Sequence, residues 1–192
     1  MDTKDYLSVL SGVLVFAGFM PYAVAIMRQK TIPSQATWLI WATLDGVAIW
    51  GMYVKGTVNG QIVVSVIVAT GTFVFALFYG KREWKKRDYY CFAGALVCIG
   101  IGLIFPVLAI VMSMTVLFLG AIPIFGETLA DPSNESLPAW VLYWLGCVAM
   151  ILGIREWTFE DASQPIAFAI IETTMLILVL RGFVLARRYR NA

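Results

Sequence analysis

Long apolar stretches separated by short polar ones dominate this chain, and their lengths predict helices that cross a membrane. A crossing needs about 20 apolar residues, within a range of about 17–25. Segments near that size lie at 6–27, 35–54, 61–79, 89–104, 106–127, 137–154 and 164–184. The run from Tyr89 to Gly126 is too long for one crossing, at roughly 57 Å as a helix. It should break near Phe105-Pro106, because proline is tolerated in a helix's first turn and disfavours helical geometry in the residue before it. The first segment exceeds the usual apolar core of a secretory signal, and it is expected to stay as a helix of the protein. The predicted fold class is therefore an all-α membrane protein with seven transmembrane helices.

A shift of 102 positions lays the first half of the chain on the second without a gap. Pro21 meets Pro123, Trp38 meets Trp140, and Gly18, Gly51 and Gly80 meet Gly120, Gly153 and Gly182. Three apolar segments, one extra segment and three more fall in register, which is the layout of a transporter built from parallel repeats. Residues 1–80 form the first triple-helix repeat, and 81–105 hold a basic loop and a linker helix. Residues 106–192 form the second triple-helix repeat with a basic tail. A three-helix unit ends on the side opposite its start, so the linker lets the second triplet run in the same direction as the first.

Composition agrees with a lipid-facing surface. Charged residues make up 14% of the 192, against roughly 25% in soluble domains. Lys and Arg collect on the cytoplasmic side of membrane proteins. With seven crossings, one face receives Arg28, Lys30, Lys81, Arg82, Lys85, Lys86, Arg87, Arg181, Arg187, Arg188 and Arg190, and the other receives Lys4, Lys55 and Arg155. Eleven against three puts the N-terminus outside and the C-terminus in the cytoplasm. The chain has no histidine, which excludes imidazole catalysis and His-ligated metals. Cys91, Cys98 and Cys147 all sit in apolar segments, so a disulfide framework is not expected.

Two carboxyls fall at mid-depth: Asp45 in the second helix and Glu172 in the seventh. An ionisable side chain there costs roughly 2.5–3.5 kcal/mol on insertion scales and marks a functional site by default. No Lys or Arg lies in the middle of any span. Each acid therefore carries a proton for much of the time, bonds neutral groups, or awaits a cationic ligand. The 102-residue offset pairs Glu172 with Thr70 and Asp45 with Cys147. Thr173 and Thr174 follow Glu172 and could bond its carboxyl. The structural alternative is that each acid ties two helices together through such bonds.

The aromatic residues divide by depth. Trp38 and Trp140 lie about a turn from one end of their helices and read as interfacial anchors, as do Trp50 and Tyr53. Trp41 shares a helical face with Trp38 and Asp45, and Trp144 is similarly deep in the sixth helix. A π-face beside a carboxylate can hold a sugar ring, a heterocycle or an organic cation. Pro21 and Pro123 each remove one helical hydrogen bond and permit a kink. At matched positions three residues after a glycine, they read as hinges.

From Pro21 to Tyr53 the chain resembles the PQ-loop/SWEET superfamily of 3+1+3 membrane transporters. A proline late in the first helix precedes Arg28-Gln29-Lys30-Thr31, Pro33-Ser34, a Trp-rich second helix and Trp50-Gly51-Met52-Tyr53. The resemblance implies alternating access between two three-helix bundles. It departs in places: the Pro-Gln pair is Pro21-Tyr22 and Pro123-Ile124 here, and the sugar-contacting Asn positions hold Thr70 and Glu172. Trp38-Leu39-Ile40-Trp41 also resembles the Trp-x-x-Trp of PnuC vitamin transporters, which share the plan. The expected function is thus a small-solute transporter, with proton linkage open. The substrate-contacting residues would be Trp41, Asp45, Thr70, Trp144, Cys147, Glu172 and Thr173. The alternatives are a receptor, scaffold or regulatory protein on a transporter-like fold, and PnuC-like vitamin or nucleoside uptake. An enzyme is not expected, since no nucleophile is paired with a base, and a retinal protein would need a lysine in the seventh helix. No cofactor, metal or nucleic acid is expected. The partners are a small-molecule substrate (sugar, heterocycle or organic cation) and the lipid bilayer, with self-association open.

Overall fold

The computed structural model describes residues 2–55, 60–81, 83–105 and 108–190. These form seven α-helices: α1 Thr3–Met27, α2 Gln35–Lys55, α3 Gly60–Tyr79, α4 Lys86–Ile104, α5 Ala109–Ala130, α6 Leu137–Leu152 and α7 Phe159–Arg190. A 3₁₀ turn at Pro132–Asn134 precedes α6, and no strand occurs among the described residues. Helix α1 starts at a capping box in which Asp5 N–H donates to Asp2 Oδ1 and Asp2 N–H to Asp5 Oδ2, at 2.9 and 3.0 Å. It ends through Gln29, whose φ of 55° breaks the helical path.

The predicted segments differ from the helices mainly at their polar ends. Helix α7 begins five residues before the apolar segment, because the Thr158 hydroxyl accepts from Asp161 N–H at 3.3 Å and caps its first turn. Helix α4 ends at Ile104, and α5 begins at Ala109. Pro106, where the break was expected, lies outside the described residues.

Among the described residues, four helices are long and apolar enough to cross a membrane: Thr3–Met27, Lys86–Ile104, Ala109–Ala130 and Asp161–Gly182. Large apolar side chains stand outward on them and on α3, among them Val13, Phe78, Val97, Leu103 and Ile177. A water-facing surface rarely carries so much contiguous apolar area; a lipid-facing one requires it.

Helix α1 packs on α3 and α6, α5 packs on α7 and α2, α2 lies against α3, and α6 lies against α7. Helix α4 rests mainly on α5, where Arg87 Nη2 donates to the Pro123 carbonyl at 3.0 Å while its Nε pairs with Asp88 at 3.1 Å. Glycines set the closest approaches. A Cβ on Gly18 would fall 2.8 Å from the Tyr143 ring, and one on Gly120 would fall 2.5 Å from Trp41 Nε1. Small residues of this kind let membrane helices meet backbone to ring.

The two ends of the bundle are held differently. At the end where α1 starts, Lys4 Nζ donates to the carbonyls of Ile154 and Arg155 at 2.8 and 2.9 Å, and Arg155 pairs with Asp5. Lys4 thus ties the start of α1 to the backbone just past the end of α6. At the opposite end Ile32 N–H donates to the Asn134 carbonyl at 3.1 Å, joining the α1–α2 loop to the 3₁₀ turn.

Candidate functional site

A cavity of about 80 Å³ lies between the helices, midway along the bundle. That is room for roughly five waters or a small solute. Helix α1 supplies Ser11, Gly12 and Val15; α2 supplies Trp38, Trp41 and Asp45; and α3 supplies Ser65 and Ala69. Helix α5 adds Leu117, α6 adds Tyr143 and Cys147, and α7 adds Phe168 and Glu172. In α2 the lining residues are three and then four apart, and in α6 Tyr143, Cys147 and Met150 are four and then three apart, which places each set on one helical face.

Both acids are more than nine-tenths buried. Among the described residues, none forms a hydrogen bond or an ion pair with either carboxyl. One oxygen of Glu172 is turned away from open space without a partner. Among the described residues that line the cavity, none is Lys or Arg. Trp41 is fixed by donating Nε1 to the Leu117 carbonyl at 3.0 Å, and it stands edge-on to Trp38 with centroids 5.1 Å apart.

Below Trp38 and Tyr143 the cavity ends in an aromatic floor. Tyr22 sits 5.6 Å from Trp38, 6.2 Å from Trp140 and 6.4 Å from Tyr143. Tyr22 and Trp140 have no solvent exposure. Under the floor Trp140 Nε1 donates to Glu135 Oε2 at 2.8 Å. The Tyr22 hydroxyl lies beside the same carboxyl without reaching hydrogen-bond geometry. Burial pushes the Glu135 carboxyl up to about 8, against the pull of the Trp140 bond.

The structure brings Trp41, Asp45, Cys147 and Glu172 to one cavity. It does not bring Thr70, Trp144 or Thr173 there. Thr70 is exposed on α3, where Ala69 faces the cavity instead. Trp144 Nε1 donates to Thr173 Oγ1 at 3.0 Å on the outer α6–α7 face. One helical residue is a turn of 100°, so the neighbour Tyr143 takes the inward place expected of Trp144. Thr174, also expected near the Glu172 carboxyl, instead donates its hydroxyl to the Ile170 carbonyl at 2.7 Å.

Trp38 and Trp140 are not interfacial anchors, since both are buried in the aromatic floor; Trp50 and Tyr53 do stand exposed. Pro21 and Pro123 lie inside unbroken α1 and α5. Next to Pro123, Ile124 N–H donates to Thr37 Oγ1 of α2 at 3.1 Å. Sequence reading missed Tyr143, which is 102 positions from Trp41; the offset itself pointed to it. Glu135 gave no apolar-segment signal, because it lies in a polar loop. No family model, no curated protein and no solved structure matches this chain.

Proposed function

We propose that this chain is a small-solute membrane carrier, built as two parallel three-helix units joined by α4 and resembling the PQ-loop/SWEET plan. The observation that carries the proposal is the cavity, in which two unpartnered carboxyls from different helices meet an aromatic wall between the units. Burying a carboxyl without a partner is costly. A structural acid finds bonds; these two find a space.

The repeat is supported by the packing, whose pattern of helix pairs is unchanged when α1–α3 are exchanged for α5–α7. Gly18 against Tyr143 and Gly120 against Trp41 form the same contact twice, with both partners moved by 102 positions. Asp45 and Cys147 stand in the same relation. In α3 and α7 the inward residues are offset by one, Ala69 to Glu172, so the gapless register slips there.

Seven crossings place Lys4 and Asp5 outside and Glu135 on the cytoplasmic side. The aromatic floor then closes the cytoplasmic path, while Gly12, Ser65 and Met150 at the other end are only partly buried. Transport requires the floor to part as the Lys4 end closes. Bending at Pro21 and Pro123 serves this motion, because each proline stands one residue from the inter-unit contacts of Tyr22 and Ile124. Two carboxyls free of basic partners also suit the movement of a proton with the solute.

The test is uptake into proteoliposomes from a panel of labelled sugars, nucleosides and amines, with counterflow as the criterion of carriage. One class should show saturable exchange that Asp45→Asn and Glu172→Gln each abolish. Absence of exchange for every class, from protein that remains folded, would contradict the proposal in favour of a receptor or scaffold.

A further inference from the structure

We propose that the solute is a small organic ammonium ion that carries no carboxylate of its own. This rests on the carrier reading and names the chemistry its cavity selects. Asp45 and Glu172 both border the cavity, and no Lys or Arg is among the described residues that line it; a cation entering beside the two carboxyls favours their ionised form and supplies the missing counter-charge. Trp41 and Tyr143 line the same cavity, and aromatic rings attract cations most strongly where water is excluded. Charge and wall chemistry therefore select the same ligand.

Other ligands meet obstacles on the same surface. A zwitterion such as an amino acid would bring a carboxylate against two carboxylates. The strong donors that could offset this are already engaged or sealed: Trp41 Nε1 is given to Leu117, while Trp38 Nε1 and the Tyr143 hydroxyl are buried away from open space. A sugar needs many hydrogen bonds and more room than a cavity of about 80 Å³ offers. That space suits a body of roughly five non-hydrogen atoms. A hard inorganic cation is held by about six or more oxygens, and one oxygen of Glu172 is turned away. No group of three metal-ligating side chains occurs among the described residues.

Isobutylamine, isobutanol and valine make a matched series: the ammonium ion, its neutral isostere, and the amine with a carboxylate added. Xylose completes the set as a small sugar. Binding to the purified protein in lipid nanodiscs is read by thermal stabilisation and calorimetry at neutral pH, where isobutylamine is protonated. Isobutylamine should bind at least about tenfold more tightly than isobutanol, the size expected of a desolvated cation over an aromatic face. Valine and xylose should give no stabilisation. Asp45→Asn and Glu172→Gln should each erase the preference for the amine; the wild-type series decides the matter even if a variant fails to fold.

Equal binding of isobutanol or xylose would overturn the ammonium assignment and leave the carrier reading standing. Valine binding as well as isobutylamine would overturn the exclusion of carboxylates. Failure of all four to bind would overturn the inference as a whole. Isobutylamine that binds selectively but shows no counterflow in proteoliposomes would support the site and overturn the carrier reading instead.

Discussion

Three buried acids occupy two neighbouring regions of this protein in opposite circumstances. At the aromatic floor Glu135 is bonded by Trp140 at 2.8 Å and packed beside Tyr22. A few residues deeper, Asp45 and Glu172 have no hydrogen-bond or ion-pair partner among the described residues, and both border open volume. A carboxyl that accepts a bond from a fully buried indole holds two elements together. Carboxyls left unsatisfied beside a cavity weaken the fold unless something else occupies it. The difference sets a bonded acid apart from two that border open volume, without reference to where any of them lies in the sequence.

Neutralising the acids should widen this contrast most. Asp45→Asn and Glu172→Gln should each cost about 2–5 kcal/mol of cation binding, roughly 30-fold or more. Their melting temperatures should hold or rise, because a burial penalty is relieved. Glu135→Ala should do the reverse, lowering stability by about 1–3 kcal/mol by orphaning the Trp140 donor, while Glu135→Gln keeps an acceptor and most of the stability. Melting curves and ligand titrations on the four variants check this. A large stability loss in Asp45→Asn would make that acid structural too.

The glycines sharpen the same boundary. Gly18→Ala and Gly120→Ala drive a methyl into Tyr143 and Trp41, and should destabilise by about 1–3 kcal/mol. Gly12 lines the cavity with nothing within 4 Å of an added Cβ. Gly12→Ala should therefore keep the melting temperature and weaken ligand binding. Stability loss in Gly12→Ala equal to that in Gly18→Ala would contradict the placement.

The floor should also respond to pH. A carboxyl raised from its ordinary 4.5 to about 8 binds its proton more tightly folded than unfolded. The stability it contributes is full below pH 4.5 and is lost as pH rises towards 8. Melting temperature should fall over that window in the wild type and fall less in Glu135→Gln. A smaller effect is expected at the two prolines within α1 and α5. Pro21→Ala or Pro123→Ala restores one helical bond, worth about 0.5–1.5 kcal/mol, and should slow counterflow without unfolding the protein.

Much of the fold was legible because apolar length and helix number are written directly in composition along the chain. The acids were legible because a charge at mid-depth is conspicuous. Side-chain direction was less so: Trp144 and Thr70 each lie one residue from an inward position, and a span's apolar character does not report rotation about its axis. Had the 102-residue offset been applied to Trp41, it would have selected Tyr143. It fails for α3 and α7, where the preceding connections differ in length. Trp38 and Trp140 were misplaced for another reason. Tryptophan near a helix end suits both a lipid interface and a buried gate, and only tertiary packing distinguishes the two.

The central claim is that an acid-lined, solute-accessible cavity lies between the helices, and Cys147 reports on it directly. With Cys91 and Cys98 replaced by alanine, the remaining thiol is treated with two alkylating agents small enough for the cavity and opposite in charge, 2-bromoethylammonium (which transfers an aminoethyl group) and bromoacetate, each rate being taken relative to that on the unfolded protein. The aminoethyl reagent should modify Cys147 in the folded protein at least about tenfold faster, as a cation attracted to two carboxylates. Asp45→Asn combined with Glu172→Gln should remove the difference. Equal rates for both reagents in the folded protein, or no modification until it is unfolded, would contradict the account.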